Sequence, residues 1–109
     1  MGPTLPRWSL EELDDAVRVN RVVVVELRSE SCPYCGPQEG VLLRLNEERA
    51  EALVIGSVDV NDHAEVVEKF EITGLPTILF FSDGSLTQRI AGFRRAPELR
   101  PLLRALLGA

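Results

Sequence analysis

Val22-Val23-Val24-Val25-Glu26-Leu27-Arg28-Ser29-Glu30-Ser31-Cys32-Pro33-Tyr34-Cys35 holds both the clearest strand signal of the chain and its only two cysteines. From Arg21 to Leu27 the β-branched residues run on without polar alternation, the pattern of a strand buried on both faces of a sheet. The cysteines follow three apart, directly after that run. Chance would place two cysteines at this spacing only about 2% of the time, so the pair is informative, and it points to dithiol/disulfide redox chemistry.

Outward from this unit the chain reads as alternating helices and strands. Upstream, Ser9 with Glu12 forms a capping box, and Leu10, Leu13, Ala16 and Val17 recur at helical spacing until Asn20. Downstream, Val41, Leu42, Leu45 and Leu53 predict a second helix whose first turns Pro37 and Gly40 should deform. Leu53 to Asp59 reads as a second inner strand. Asn61-Asp62 is expected to cap a short helix carrying Val66, Val67 and Phe70, with His63 exposed in its first turn. Thr77–Phe81 and Leu86–Ala91 flank Asp83-Gly84, a strong hairpin signal. Leu99, Leu102, Leu103, Leu106 and Leu107 close the chain as a helix whose start Pro97 and Pro101 obscure. Strands joined by crossover helices, then an antiparallel hairpin, predict an α/β fold: a central mixed sheet of four to five strands with helices on both faces, in one domain over residues 1–109.

Composition narrows the function. A net charge of −5 and a pI near 4.9 provide no basic stripe to replace phosphate counterions, which argues against nucleic acid as a partner. Arg94, Arg95, Arg100 and Arg104 gather near the C-terminus and read as a solvated face rather than a site for an acidic ligand. The apolar run Val22–Val25 is far too short to span a bilayer, and no signal-peptide core is visible, so the expected location is cytoplasmic, without membrane association. In a reducing cytosol two lone cysteines are seldom a structural staple. A zinc site needs about four ligands, and two cysteines with a distant His63 fall short, so no metal is expected.

Four features together resemble the thioredoxin family, over about Ser9 to Leu107: the strand-then-Cys-X-X-Cys unit, Glu26 six residues before Cys32, Leu75-Pro76-Thr77 ahead of a strand, and Asp83-Gly84 with Gly92. The resemblance implies a thioredoxin fold and a cis bond before Pro76, which would lie against the dithiol. It implies a thiol-disulfide oxidoreductase that needs no cofactor beyond the Cys32-Cys35 disulfide. A thiolate attacks a disulfide sulfur, so the first cysteine needs solvent access and a stabilised anion, which a helix N-terminus supplies. Cys32 is therefore assigned as nucleophile and Cys35, one turn on, as the resolving thiol. Glu26 stands where the family usually has aspartate. There it would exchange a proton with the resolving thiol; the alternative is a carboxyl at the sheet edge. Pro33, Tyr34, Leu75, Pro76, Gly92 and Phe93 are expected to form a substrate groove, with backbone at Thr73, Gly74 and Leu75 pairing with an extended segment. Trp8 falls outside this site and should pack against the first helix.

The departures matter equally. Thioredoxins usually carry Trp before the first cysteine, Gly-Pro between the two and Lys after the second. This chain has Ser31, Pro33-Tyr34 and Gly36. Cys-Pro-Tyr-Cys is the glutaredoxin dipeptide, which implies a couple less reducing than an ordinary thioredoxin. The Thr-Val-Pro and Gly-Gly elements of glutaredoxins are missing, although Arg94 and Arg95 offer groups for a carboxylate. The reading is a monomeric protein-disulfide reductase fed by a thioredoxin reductase or by the glutathione system. The alternatives are a glutathione-dependent oxidoreductase and a binding or chaperone-like adapter with little turnover.

Overall fold

The computed structural model describes residues 3–49 and 52–108. Helix α1 (Leu10–Val19) leads into β1 (Val22–Arg28), then α2 (Cys35–Glu48), β2 (Val54–Asp59), the short α3 (Glu65–Lys69), the hairpin β3 (Thr77–Ser82) and β4 (Ser85–Ala91), and α4 (Ala96–Leu107). The sheet order is β2-β1-β3-β4. β1 and β2 run parallel through the α2 crossover, and β3 and β4 pair antiparallel. The expected mixed sheet is thus present with four strands.

Strand alternation sorts the core into two layers. Val22, Val24, Ile55, Ile78 and Phe80 face α2 and α4, where Leu42, Leu45, Leu99 and Leu103 meet them. Val23, Val25, Leu27, Val58, Leu79 and Phe81 face the other way, against Leu13 of α1 and Val66 of α3. Burial on both faces is what the uninterrupted valines of β1 require. The Ser9–Glu12 capping box closes the start of α1 as read, Ser9 Oγ accepting from the Glu12 amide at 3.1 Å. Asp83 (φ 51°) and Gly84 (φ 85°) both take the left-handed conformation demanded by a two-residue hairpin turn.

Several expectations need correction. Pro37 and Gly40 do not deform α2: Pro37 is the third helical residue, where a missing N–H breaks no intrahelical bond, and Gly40 is solvent-exposed. Leu53 lies after α2, in the approach to β2, although it reaches the same core. β2 is an outer strand of the sheet, not an inner one. It reads as inner because both its faces are covered, and the chain at Pro6–Trp8 also lies along its edge, with Ser57 N donating to Pro6 O at 2.8 Å and Trp8 N to Ser57 O at 2.7 Å. Asn61 and Asp62 do not cap α3, which begins after Ala64 with no side-chain cap. They belong to a turn built on Asp59, whose carboxylate accepts from the Asn61 amide at 2.8 Å. His63 precedes the helix and is half-buried.

Trp8 does join the α1-side cluster, and its indole also covers Gly56 of β2. A Cβ on Gly56 would come within 2.6 Å of three indole carbons. Gly56→Ala should therefore displace Trp8 and lower stability by about 1–3 kcal/mol. Urea unfolding followed by the fluorescence of the single tryptophan checks this, and an unchanged midpoint would contradict it.

Candidate active site

The loop from Ser29 to Tyr34 carries the chain from the end of β1 to the start of α2, and Cys35 is the first helical residue. Cys32 and Cys35 form a disulfide with their Cα atoms 5.5 Å apart. The two sulfurs are not equivalent in access: Cys32 is partly exposed, whereas Cys35 is fully buried. α2 is 14 residues long with no acidic residue in its first turn, so nothing there offsets the positive end of its dipole. A negative charge on the sulfur of Cys32, just ahead of that end, is favoured.

Glu26 lies inside β1, which continues through Leu27 and Arg28, and β1 is a central strand. The sheet-edge alternative is therefore excluded. Its side chain shares the face of Val22 and Val24, beneath α2, with Ser57 and Ile78 as its cross-strand neighbours. Glu26 is fully buried, and neither carboxylate oxygen meets a hydrogen-bond partner among the described residues. Burial, helped by the charge of Glu39 and opposed by Arg28 and Arg7, pushes its carboxyl up to about 8. A carboxyl titrating there populates both protonation states near neutral pH, as proton exchange with a thiol requires.

The expected groove residues lie in three segments that the structure stitches together. The Tyr34 ring, 59% exposed, stands 6.0 Å from that of Phe93, centroid to centroid. The Leu75–Pro76 bond is cis. Pro76 O accepts from the Gly92 amide at 2.8 Å, and Thr77 Oγ donates to Gly74 O at 2.6 Å. Thr73, Gly74 and Pro33 are exposed, Leu75, Gly92 and Phe93 half-buried, and Pro76 buried. Of the two arginines, Arg94 donates to Phe93 O and Arg95 pairs with Glu98 at 3.3 Å in an exposed ion pair.

Two residues of this region escape the sequence reading. Gln38, fully buried, clamps the Phe93–Arg94 loop to α2, accepting from the Arg94 amide at 2.7 Å and donating to Arg94 O at 3.0 Å. Glu39, also buried, receives Arg7 Nη1 at 2.5 Å and the Leu5 amide at 2.8 Å. Burial works against ionisation of Glu39, but Arg7 and the Leu5 amide outweigh it and hold the carboxyl below the usual range. The signal was present: Gln38 and Glu39 precede Leu42 by four and three residues, so both fall on the buried face of α2. No group of three or more His, Cys, Asp or Glu among the described residues is placed to hold a metal ion.

A disulfide at a helix N-terminus, a buried acid on the strand that leads to it and a cis-proline loop are together the features of a thiol-disulfide oxidoreductase with a thioredoxin fold. The thioredoxin family model matches residues 6–105, and the chain belongs to that family. It is 32% identical over 89 residues to a thioredoxin of Mycobacterium tuberculosis, covering 81% of this chain and 77% of that protein. A thioredoxin of Mycoplasmoides gallisepticum is 29% identical over 93 residues, covering 85% and 92%. Among solved structures, a mutant thioredoxin from Halobacterium salinarum superposes with a TM-score of 0.86 at 24% identity, covering 94% of this chain and 89% of that one. Plasmodium falciparum thioredoxin gives 0.83 at 25% identity, covering 93% and 98%.

Proposed function

We propose that the chain reduces or exchanges disulfides of other proteins through Cys32 and Cys35, with Glu26 handling the proton of Cys35. The observation that carries this reading is the asymmetry of the pair: a partly exposed sulfur at the helix start, bonded to a fully buried one. In the reduced protein the Cys32 thiolate attacks one sulfur of a substrate disulfide. The substrate S–S bond breaks, its second sulfur leaves as a thiolate and takes a proton, and a mixed disulfide to Cys32 remains. Cys35 then loses its proton, to the carboxylate form of Glu26 directly or through water, and attacks Cys32 Sγ. The Cys32–substrate bond breaks, the second substrate thiolate is released and protonated, and the Cys32–Cys35 disulfide is formed. Two electrons have moved to the substrate, and a separate thiol-disulfide reductant must return them.

Pro33, Tyr34 and Phe93 would supply apolar contact to the substrate, and the backbone at Thr73, Gly74 and Leu75 would pair with an extended segment of it, around Pro76 and Gly92. Such a protein works as a monomer in the cytoplasm, with disulfide-containing proteins as substrates and neither nucleic acid nor a membrane as a partner. No helix among the described residues is long and apolar enough to cross a membrane.

The test supplies NADPH through thioredoxin reductase in one arm and through glutathione with its reductase in the other, and follows reduction of a model protein disulfide. Turnover in the first arm is the expected result. Turnover confined to the glutathione arm would move the assignment to a glutathione-dependent enzyme. Silence in both arms, with a redox-active dithiol, would move it to an adapter.

A further inference from the structure

The N-terminal segment does more than cover the edge of β2. Arg7 is bridged to Ser57 along the backbone, and its guanidinium reaches Ser57 Oγ at 2.8 Å and Glu39 Oε1 at 3.3 Å in addition to its 2.5 Å contact with Oε2. Ser57 is the cross-strand neighbour of Glu26. Glu39 lies one helical turn beyond Cys35, on the face of α2 that covers the sheet. The buried acid of β1 thus lies on the sheet face that α2 covers, and Arg7 ties Glu39 of that helix to Ser57, the cross-strand neighbour of Glu26. Glu26 has no hydrogen-bond partner among the described residues; Glu39 is fixed by Arg7, by the Leu5 amide and by the packing of Leu5 in the core.

We propose that Glu39, held as an anion by Arg7 and the Leu5 amide, is a positioning residue that sets the pH at which Glu26 can accept the proton of Cys35. The inference rests on the proton-transfer role given to Glu26 above. A fixed negative charge disfavours a second one nearby in a poorly solvated space, and Arg7 acts in the opposite sense on both acids.

The other groups on this face do not duplicate the effect of Glu39, and Arg28 opposes it, acting on Glu26 in the same sense as Arg7 and more strongly. From β1, Arg28 is paired with Asp59 of β2 at 3.4 Å. From β2, Ser57 presents a hydroxyl that does not titrate. β3 presents Ile78, and α4 presents the apolar Ala96, Leu99 and Leu103. From α2, Cys35 is in the disulfide and Gln38 turns its amide to the backbone of Arg94, whose guanidinium donates to Phe93 O. Glu39 is the titratable carboxylate that α2 adds here, and Arg7 is its counterion.

The experiment follows the side-chain carboxyl carbon of Glu26 by NMR across pH in the oxidised protein, in wild type, Glu39→Gln and Arg7→Met. Glu39→Gln should lower the half-titration point of Glu26 by about one pH unit. Arg7→Met, which removes the counterion, should raise the half-titration point of Glu39, followed on its own carboxyl carbon, and, wherever the Leu5 amide still keeps Glu39 an anion, that of Glu26. Opposite movements by two variants that break the same ion pair are a signature that loosened packing alone does not produce. If Glu39→Gln fails to fold, the rise in Arg7→Met decides. An unmoved point, or movement of both in the same direction, overturns the proposal. In the disulfide-reduction assay the pH profile of Glu39→Gln should shift to lower pH, and the shift should vanish in a Glu26→Gln background. If Glu26→Gln leaves the wild-type profile unchanged, the proton-transfer role of Glu26 falls, while the NMR result still judges Glu39.

Discussion

Replacing Glu26 with glutamine should make the oxidised protein more stable at pH 7–8, by on the order of 3 kcal/mol, and should leave its stability near pH 4 almost unchanged. Glu26 is buried without a hydrogen-bond partner among the described residues, and burial holds its carboxyl at about 8 against an ordinary value of 4.5. The unfolded chain therefore gives up this proton as pH rises past 4.5, whereas the folded protein keeps it until about 8. Over that window the unfolded state binds fewer protons, so this group's contribution falls with rising pH: it is fully present below 4.5 and lost by about 8. Glutamine keeps the shape and cannot ionise, so the variant's stability curve should lack this decline. Urea unfolding at pH 4, 6 and 8 measures it. Parallel curves for the two proteins would show that Glu26 ionises freely in the fold. Turnover should respond in the other direction, with slower resolution of the mixed disulfide in the variant.

Cys32→Ser should reduce turnover on a protein disulfide by at least about a thousandfold, because the hydroxyl that replaces the thiolate cannot form the mixed disulfide through which both electrons pass. Its stability should be compared with that of the reduced wild type, since the oxidised protein also carries the crosslink. The assay is the reductase-coupled one, with the variant and wild type at equal concentration. Residual activity within tenfold of wild type would mean that Cys35 can attack on its own, which its complete burial does not allow.

Much of the fold was legible because its signals are local. The valines of β1 report a strand covered on both faces, Ser9 with Glu12 reports a helix start, and Asp83-Gly84 reports a turn that needs left-handed backbone. The misreadings share a cause, which is that single residues were weighed without their position in the element. Pro37 looked disruptive until its place in the first turn of α2 made its missing N–H harmless. Asn61 and Asp62 looked like a cap, whereas Asp59 had already organised the turn. β2 looked internal because its apolar run reports covered faces and says nothing about which edge is paired.

The site divides along the same line. Cys32, Cys35 and Glu26 stand close together in sequence, and the segment around Pro76 carries a recognisable pattern. Gln38 and Glu39 were passed over because their partners, Arg94 and Arg7, lie 56 and 32 residues away. Both were visible only as polar residues on the buried face of a helix, a pattern that announces a partner without naming it. The contribution of Arg7 depends further on the N-terminal segment lying along β2, which follows from tertiary packing rather than from the sequence near either residue.

The most direct measurement incubates reduced Cys35→Ser and Cys32→Ser with a protein disulfide and identifies the adducts by intact mass and peptide mapping. Cys35→Ser should accumulate a mixed disulfide on Cys32, because the resolving thiol is gone and the attacking one remains accessible. Cys32→Ser should accumulate none. An adduct on Cys35 in Cys32→Ser, or no adduct in either variant, would contradict the account, since the partly exposed sulfur at the start of α2 would then not be the one that meets the substrate.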